Sequence, residues 1–144
     1  MNISRTIEQL EAAPWPQPPT DAPEFVLRCH SLRQVPISQL AASDLRVLIG
    51  QDIALKHLMP MALRLLKTDP LLEAEYYPGD LLSAVMKVDS EFWKASPSVR
   101  AQLVSVVGEA QARIMDHDAP TEFRQVSEDI AQFLMAGETS RRPP

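Results

Sequence analysis

Apolar residues recur at intervals of three and four along most of the chain, which is the spacing of one face of an α-helix. The longest run continues for about five turns, with apolar positions at Val99, Leu103, Val106 or Val107, Ala110 and Ile114. It follows Ser96-Pro97, a typical helix start, because serine can cap the first turn and proline is tolerated at its first position. This pattern predicts the longest helix of the protein.

The N-terminal part predicts two short helices joined by an extended connection. Ser4 is placed to cap the first helix, whose apolar face would comprise Ile3, Ile7 and Leu10. A proline-rich connection follows, since proline lacks a backbone donor and restricts the residue before it, and Trp15 should hold this connection to the body. A second helix is expected from about Glu24 to Arg33.

The central block, residues 43–93, contains several helix starts and stops. Ser43-Asp44 favours a helix start, with the serine oxygen as the cap. Gly50-Gln51 should loosen that helix or end it. Pro60 interrupts the next apolar pattern. An interior proline costs about 3 kcal/mol, so it indicates either a kink or a fresh helix, and we expect a fresh helix that begins at Pro60. Thr68-Asp69-Pro70 should end it.

The second half of this block predicts a turn and two more helices. Tyr77-Pro78-Gly79-Asp80 is typical of a turn. It leads into a helix whose apolar face would comprise Leu81, Leu82, Val85 and Met86. Asp89 or Ser90 then starts a short helix that contains Phe92 and Trp93.

The C-terminal pattern predicts a last helix and a tail. Apolar spacing from Phe123 to Leu134 indicates the helix, and Gly137 is placed to end it. Residues 138–144 lack an apolar anchor and should be mobile. Because no strand pairs or repeats stand out, we expect an all-α domain over residues 1–137, with about six to eight helices.

Composition narrows the class of protein. The 144 residues suit one domain, and 45% hydrophobic residues are typical of a globular protein rather than a disordered one. No apolar stretch approaches the roughly 20 residues that span a bilayer, and the N-terminus does not resemble a secretion signal. The single cysteine, Cys29, excludes an internal disulfide and fits a reducing compartment. We therefore expect a cytosolic protein.

Charge is unevenly distributed along the chain. The formal net charge is −5, which argues against a general nucleic-acid binder. Six basic and two acidic residues lie between Arg28 and Lys67, whereas six acidic residues and one lysine lie between Asp69 and Glu91. The acidic stretch could steer a basic protein partner towards this chain, or it could be an ordinary solvated surface.

Tyrosines next to carboxylates on a turn combine contact area with negative charge. On this basis the candidate contact residues are Glu73, Glu75, Tyr76, Tyr77, Asp80, Asp89 and Glu91. The alternative is that one tyrosine packs in the core and the turn only connects two helices.

Candidate chemistry is sparse. Adjacent helical residues such as Cys29-His30 point about 100° apart, so a buried thiol beside a half-exposed histidine is the simpler interpretation. Asp116-His117-Asp118 carries metal-ligand types but no companion motif. A carboxylate pair among Glu73, Glu75 and Asp80 would need raised pKa values, which an exposed turn does not favour. No catalytic residue, metal site or cofactor is predicted.

Several runs, in this order, resemble a family of small helical immunity proteins from bacterial contact-dependent growth inhibition (CDI) systems. These runs span roughly residues 4–94 and comprise Ile7-Glu8-Gln9-Leu10-Glu11, Trp15 in its prolines, Cys29-His30-Ser31-Leu32-Arg33, residues 44–51, Leu58-Met59-Pro60-Met61-Ala62-Leu63, Asp69-Pro70-Leu71-Leu72-Glu73 and Tyr77-Pro78-Gly79-Asp80-Leu81-Leu82.

The resemblance implies a non-enzymatic inhibitor that stays in the cytosol. It would bind the C-terminal toxin domain of a surface-delivered effector, without binding nucleic acid or a membrane itself. Such toxins are commonly nucleases and therefore basic. Two alternatives remain: a helical adaptor or regulatory domain unrelated to toxins, and a small metal-dependent hydrolase using Asp116, His117 and Asp118.

Overall fold

The computed structural model describes residues 4–116 and 120–141, with side chains described except at 120 and 137–141. Within these ranges the chain forms eight α-helices and no β-strand, which confirms the predicted all-α class. The helices are α1 (Ile7–Glu11), α2 (Glu24–Leu32), α3 (Ala42–Gly50), α4 (Leu55–Thr68), α5 (Asp80–Met86), α6 (Ser90–Ala95), α7 (Pro97–Met115) and α8 (Arg124–Arg141). Two short 3-10 helices lie at Ile37–Gln39 and Pro120–Phe123.

Helix α5 lies at the centre of the domain. It is only seven residues long, yet six of its residues are buried. It packs against α3 on one side and α8 on another, while α4 packs against α3, α5 and α7. Every α-helix contributes at least one buried apolar side chain to the core. None of the described helices is both long enough and apolar enough to cross a membrane.

Two predicted helix starts are wrong in their capping residue. Helix α1 is capped by Thr6 instead of Ser4, because Thr6 and Gln9 form reciprocal bonds between side chain and backbone N–H, the arrangement of a capping box. Ile3, the first residue of the predicted apolar face, lies outside the described residues.

Helix α3 begins at Ala42, and Ser43 does not cap it. Instead, the Asp44 carboxylate accepts a hydrogen bond from the Ala41 backbone N–H at 2.9 Å.

The prediction of a fresh helix at Pro60 is wrong, because α4 runs through this residue without interruption. Pro60 is exposed, so the backbone bond it cannot make lies on the solvent side of the helix. The opposite face is one continuous buried stripe on both sides of Pro60, comprising Leu58, Met59, Ala62, Leu63 and Leu66. Burial of this stripe outweighs the local cost of the proline.

The prediction that Gly137 ends the last helix is also wrong, since α8 runs to Arg141. Residues 142–144, the end of the predicted mobile tail, lie outside the described residues. The predicted helix end at Thr68 and the predicted starts after Gly79, at Ser90 and at Pro97 are confirmed, and α7 is the longest described helix.

Trp15 joins the proline-rich connection to α2. The Arg33 guanidinium carbon lies 4.2 Å from the Trp15 ring centroid, and His30 meets the same ring edge-on at 4.9 Å. Arg33 is only 1% exposed, and its guanidinium also donates to the Glu11 carboxylate and the Ala13 carbonyl. One buried arginine therefore ties α1 and the connection to α2.

Candidate protein-binding surface

The loop between α4 and α5, residues 69–79, is organised around a buried carboxylate. Asp80 is 2% exposed. Its side chain accepts hydrogen bonds from the backbone N–H groups of Ala74 at 2.6 Å, Glu75 at 2.9 Å and Tyr76 at 2.8 Å. Three successive backbone donors thus converge on one carboxylate, which holds the loop in a fixed shape.

Gly79 allows this loop to close against the core. Its φ of +85° lies in the left-handed region that favours glycine. A Cβ atom at this position would lie 2.5 Å from a Val126 methyl carbon of α8, closer than carbon atoms can pack. The Gly79 N–H also donates back to the Leu71 carbonyl at 3.0 Å. The predicted turn at 77–80 is confirmed.

Glu75 links the loop to two helices that carry the basic segment. Its carboxylate accepts from Arg46 on α3 at 2.8 Å and from Arg28 on α2 at 3.0 Å. The hydrogen bond from Arg46 is the largest cause that lowers the pKa of Glu75, and Arg28 lowers it further. The Arg46 guanidinium carbon also lies 4.7 Å from the Tyr76 ring centroid. Arg28 and Arg46 therefore brace the loop from behind.

This bracing changes which predicted contact residues can reach a partner. Tyr76 is 68% exposed and Glu73 is also exposed. Tyr77 and Glu75 are half-buried, and Asp80 lies buried beneath the loop. Of the predicted contact residues on the loop, Glu73 and Tyr76 are therefore the accessible ones.

Asp89 and Glu91 lie apart from the loop, at the other end of α5. Both are exposed, and Asp89 accepts from the Glu91 backbone N–H at 3.0 Å, which caps α6. Glu91 also lies 3.7 Å from the Lys94 ammonium. Since α5 has seven residues, about 10 Å of helix separates the two groups. The seven predicted residues therefore form two acidic regions.

The geometry does not favour a nucleophile at Cys29 or a general acid at Glu75. Burial raises the pKa of the Cys29 thiol, the opposite of what a thiolate nucleophile needs, and the neighbouring His30 packs against Trp15. The lowered pKa of Glu75 is likewise opposite to that of a general acid. No group of three potential metal ligands occurs among the described residues, while His117 and Asp118 lie outside them.

Sequence reasoning missed the two arginines behind the loop. Arg28 and Glu75 are 47 residues apart, and in the sequence Arg28 and Arg46 stand out only as members of the basic segment. The opposite charge of the two segments could have indicated this contact, because segments of opposite charge can form ion pairs with each other within one fold.

A helical scaffold that presents an exposed tyrosine and carboxylates on a braced loop fits the class of small protein-binding domains. A family model described as CDI immunity proteins matches residues 9–103, about two thirds of the chain, and the chain belongs to this family. The match confirms the resemblance seen in the sequence and implies toxin neutralisation. No curated protein and no solved structure matches the chain.

Proposed function

We propose that this protein binds its cognate CDI toxin domain in the cytosol and neutralises it by occupancy alone, and that this toxin is a nuclease with a basic surface. Membership of the CDI immunity family is the observation that carries the proposal. The proposal of a basic partner is supported by the four acidic residues of this segment that are exposed, Asp69, Glu73, Asp89 and Glu91. The other two do not contribute, because Glu75 is paired with Arg28 and Arg46 and Asp80 is buried. Carboxylates on this surface would attract groups that otherwise meet phosphate.

The proposed contact surface keeps the predicted residues but gives them different roles. Glu73 and Tyr76 contact the toxin directly, with Tyr77 and Glu75 at the edge of the contact. Asp80 acts from beneath by fixing the loop backbone, as its three accepted N–H bonds support. Asp89 and Glu91 extend the negative surface towards α6.

A braced loop is well suited to tight binding. Ordering a flexible loop on association costs free energy, which a preformed loop avoids. Two arginines, three backbone bonds to Asp80 and the close approach of Gly79 to α8 fix this loop before any partner arrives. Exposed acidic groups on it should then mainly raise the association rate.

The first test is protection of growth. Cells that express the toxin domain encoded beside this gene should survive when they also express this chain, and the two proteins should co-purify. A toxin that stays lethal despite abundant folded partner would refute the proposal.

The second test locates the surface. Glu73→Lys should slow association with the toxin domain about three- to tenfold and make it less sensitive to salt. Tyr76→Ala should accelerate dissociation, because an exposed tyrosine on a rigid loop is a typical binding anchor. Glu128→Lys is the matched control, since Glu128 is exposed on α8 and about 200° around the helix from Val126, which meets the loop. Equal kinetics for Glu73→Lys and the control would place the contact elsewhere.

A further inference from the structure

A second surface feature lies on the side of α5 away from the loop. A cleft of about 610 Å³ opens between the α5–α6 connection and α8. Met86, Val88 and Trp93 line one wall, and Phe133 and Ala136 line the other. This volume falls within the range of clefts that bind small ligands or several side chains of a partner.

The polar groups of the cleft indicate what it could bind. Trp93 is 5% exposed, and its indole N–H has no hydrogen-bond partner in the described part of the chain. Three cations, Lys87, Lys94 and Arg100, line the rim. The Asp89 carboxylate lines it too, and this carboxylate accepts from the Glu91 backbone N–H as the cap of α6. Lys87 pairs with Asp129 and Lys94 pairs with Glu91, but Arg100 forms no ion pair with any described residue. An apolar floor with an unused cation at its rim fits an apolar side chain next to a carboxylate.

The two walls differ in their relation to the family. Residues 86–100 lie inside the segment matched by the CDI immunity model, whereas α8 lies outside it. One wall therefore belongs to the shared framework and the other is supplied by a part of the chain that the family model does not describe. A cleft built in this way can vary its selectivity while the framework stays the same.

Resting on the proposed function, we infer that this cleft is a second contact site for the toxin domain, which inserts an apolar side chain and pairs a neighbouring carboxylate with Arg100. The α8 wall selects the cognate toxin over toxins that related immunity proteins bind. A toxin that is basic overall can still present one carboxylate here, so the cleft and the acidic loop recognise different parts of the same partner.

The test uses the full chain and the toxin domain encoded beside its gene. Ala136→Trp fills the cleft from α8 and should raise the Kd about 30-fold, the effect of losing one binding hot spot. Ala131→Trp is the matched control: Ala131 is also exposed on α8 but lies about 140° around the helix from Ala136. This control should bind within about twofold of the wild type.

A second variant tests the cleft independently, in case Ala136→Trp does not fold. Arg100→Glu alters only the rim and should raise the Kd about tenfold by repelling the partner carboxylate. If the wild type binds while Ala136→Trp and Arg100→Glu bind equally well, the cleft proposal is overturned and the proposed function stands. If the wild type itself does not bind the toxin domain, the proposed function is refuted, and the cleft proposal that rests on it is refuted with it.

Discussion

Replacing Asp80 with asparagine tests whether one carboxylate holds the loop that presents the candidate contacts. One carboxylate oxygen accepts from Ala74, and the other accepts from both Glu75 and Tyr76. Asparagine keeps one acceptor oxygen but replaces the other with an NH2 group that cannot accept. At least one of the three backbone N–H groups loses its partner, and the remaining hydrogen bonds are no longer made to a charged acceptor. With about 1.5–3 kcal/mol for each charge-assisted bond, the expected loss is about 3 kcal/mol.

Urea denaturation followed by circular dichroism measures this loss. With an m-value of about 2 kcal/mol per M, the midpoint of Asp80→Asn should fall by about 1.5 M. Asp89→Asn is the matched control, because Asp89 is an exposed helix cap that accepts one backbone N–H, and asparagine caps nearly as well as aspartate. Its midpoint should stay close to that of the wild type. Equal midpoints for the two variants would refute the assignment of Asp80 as the centre of the loop.

Three further predictions, made with four substitutions, test the fold and the charge of Glu75. Gly79→Ala should destabilise the protein by about 3 kcal/mol, because alanine would have to adopt the positive φ and its Cβ would clash with Val126. Gly108→Ala is the control on α7, where a Cβ meets open space, and it should stabilise the protein by about 0.5–1 kcal/mol. Thermal unfolding distinguishes the two variants. Pro60→Ala should stabilise the protein by about 2 kcal/mol, measured by urea denaturation, because it restores a backbone hydrogen bond of α4. A lower stability of this variant would contradict a continuous α4. Because the folded-state pKa of Glu75 is lowered, its stabilisation is present above an ordinary pKa of about 4.3 and is lost as pH falls through the folded value. The stability difference between wild type and Glu75→Gln should therefore shrink from pH 7 to pH 3, and a constant difference would show that the Glu75 charge contributes nothing.

Local signals predicted most of the helices. Gly79 in its turn, the α3 end at Gly50, the α7 start at Pro97 and the short helix around Trp93 all depend on residues near in sequence, and the structure confirms them. Such features need only backbone preferences and short-range capping, which the sequence displays directly.

Features decided by tertiary packing could not be predicted in this way. Pro60 argues locally for a helix start, but the buried stripe across it keeps α4 continuous. The ion pairs of Glu75 with Arg28 and Arg46 join residues far apart in the chain. Counting charges therefore identified a basic and an acidic segment, but not which residues of the two segments pair. For the same reason Asp80 was expected at the surface, although its carboxylate serves the loop backbone from below.

Titration of the toxin domain with this chain, followed by cleavage of nucleic acid, tests the central claim most directly. Purified toxin domain should degrade RNA or DNA, and activity should fall linearly to zero at one equivalent of added chain, since an inhibitor that acts by occupancy is consumed one to one. Cleavage that persists above one equivalent would contradict binding to the cognate toxin. Complete inhibition by a small fraction of an equivalent would contradict occupancy and indicate a catalytic activity of this chain.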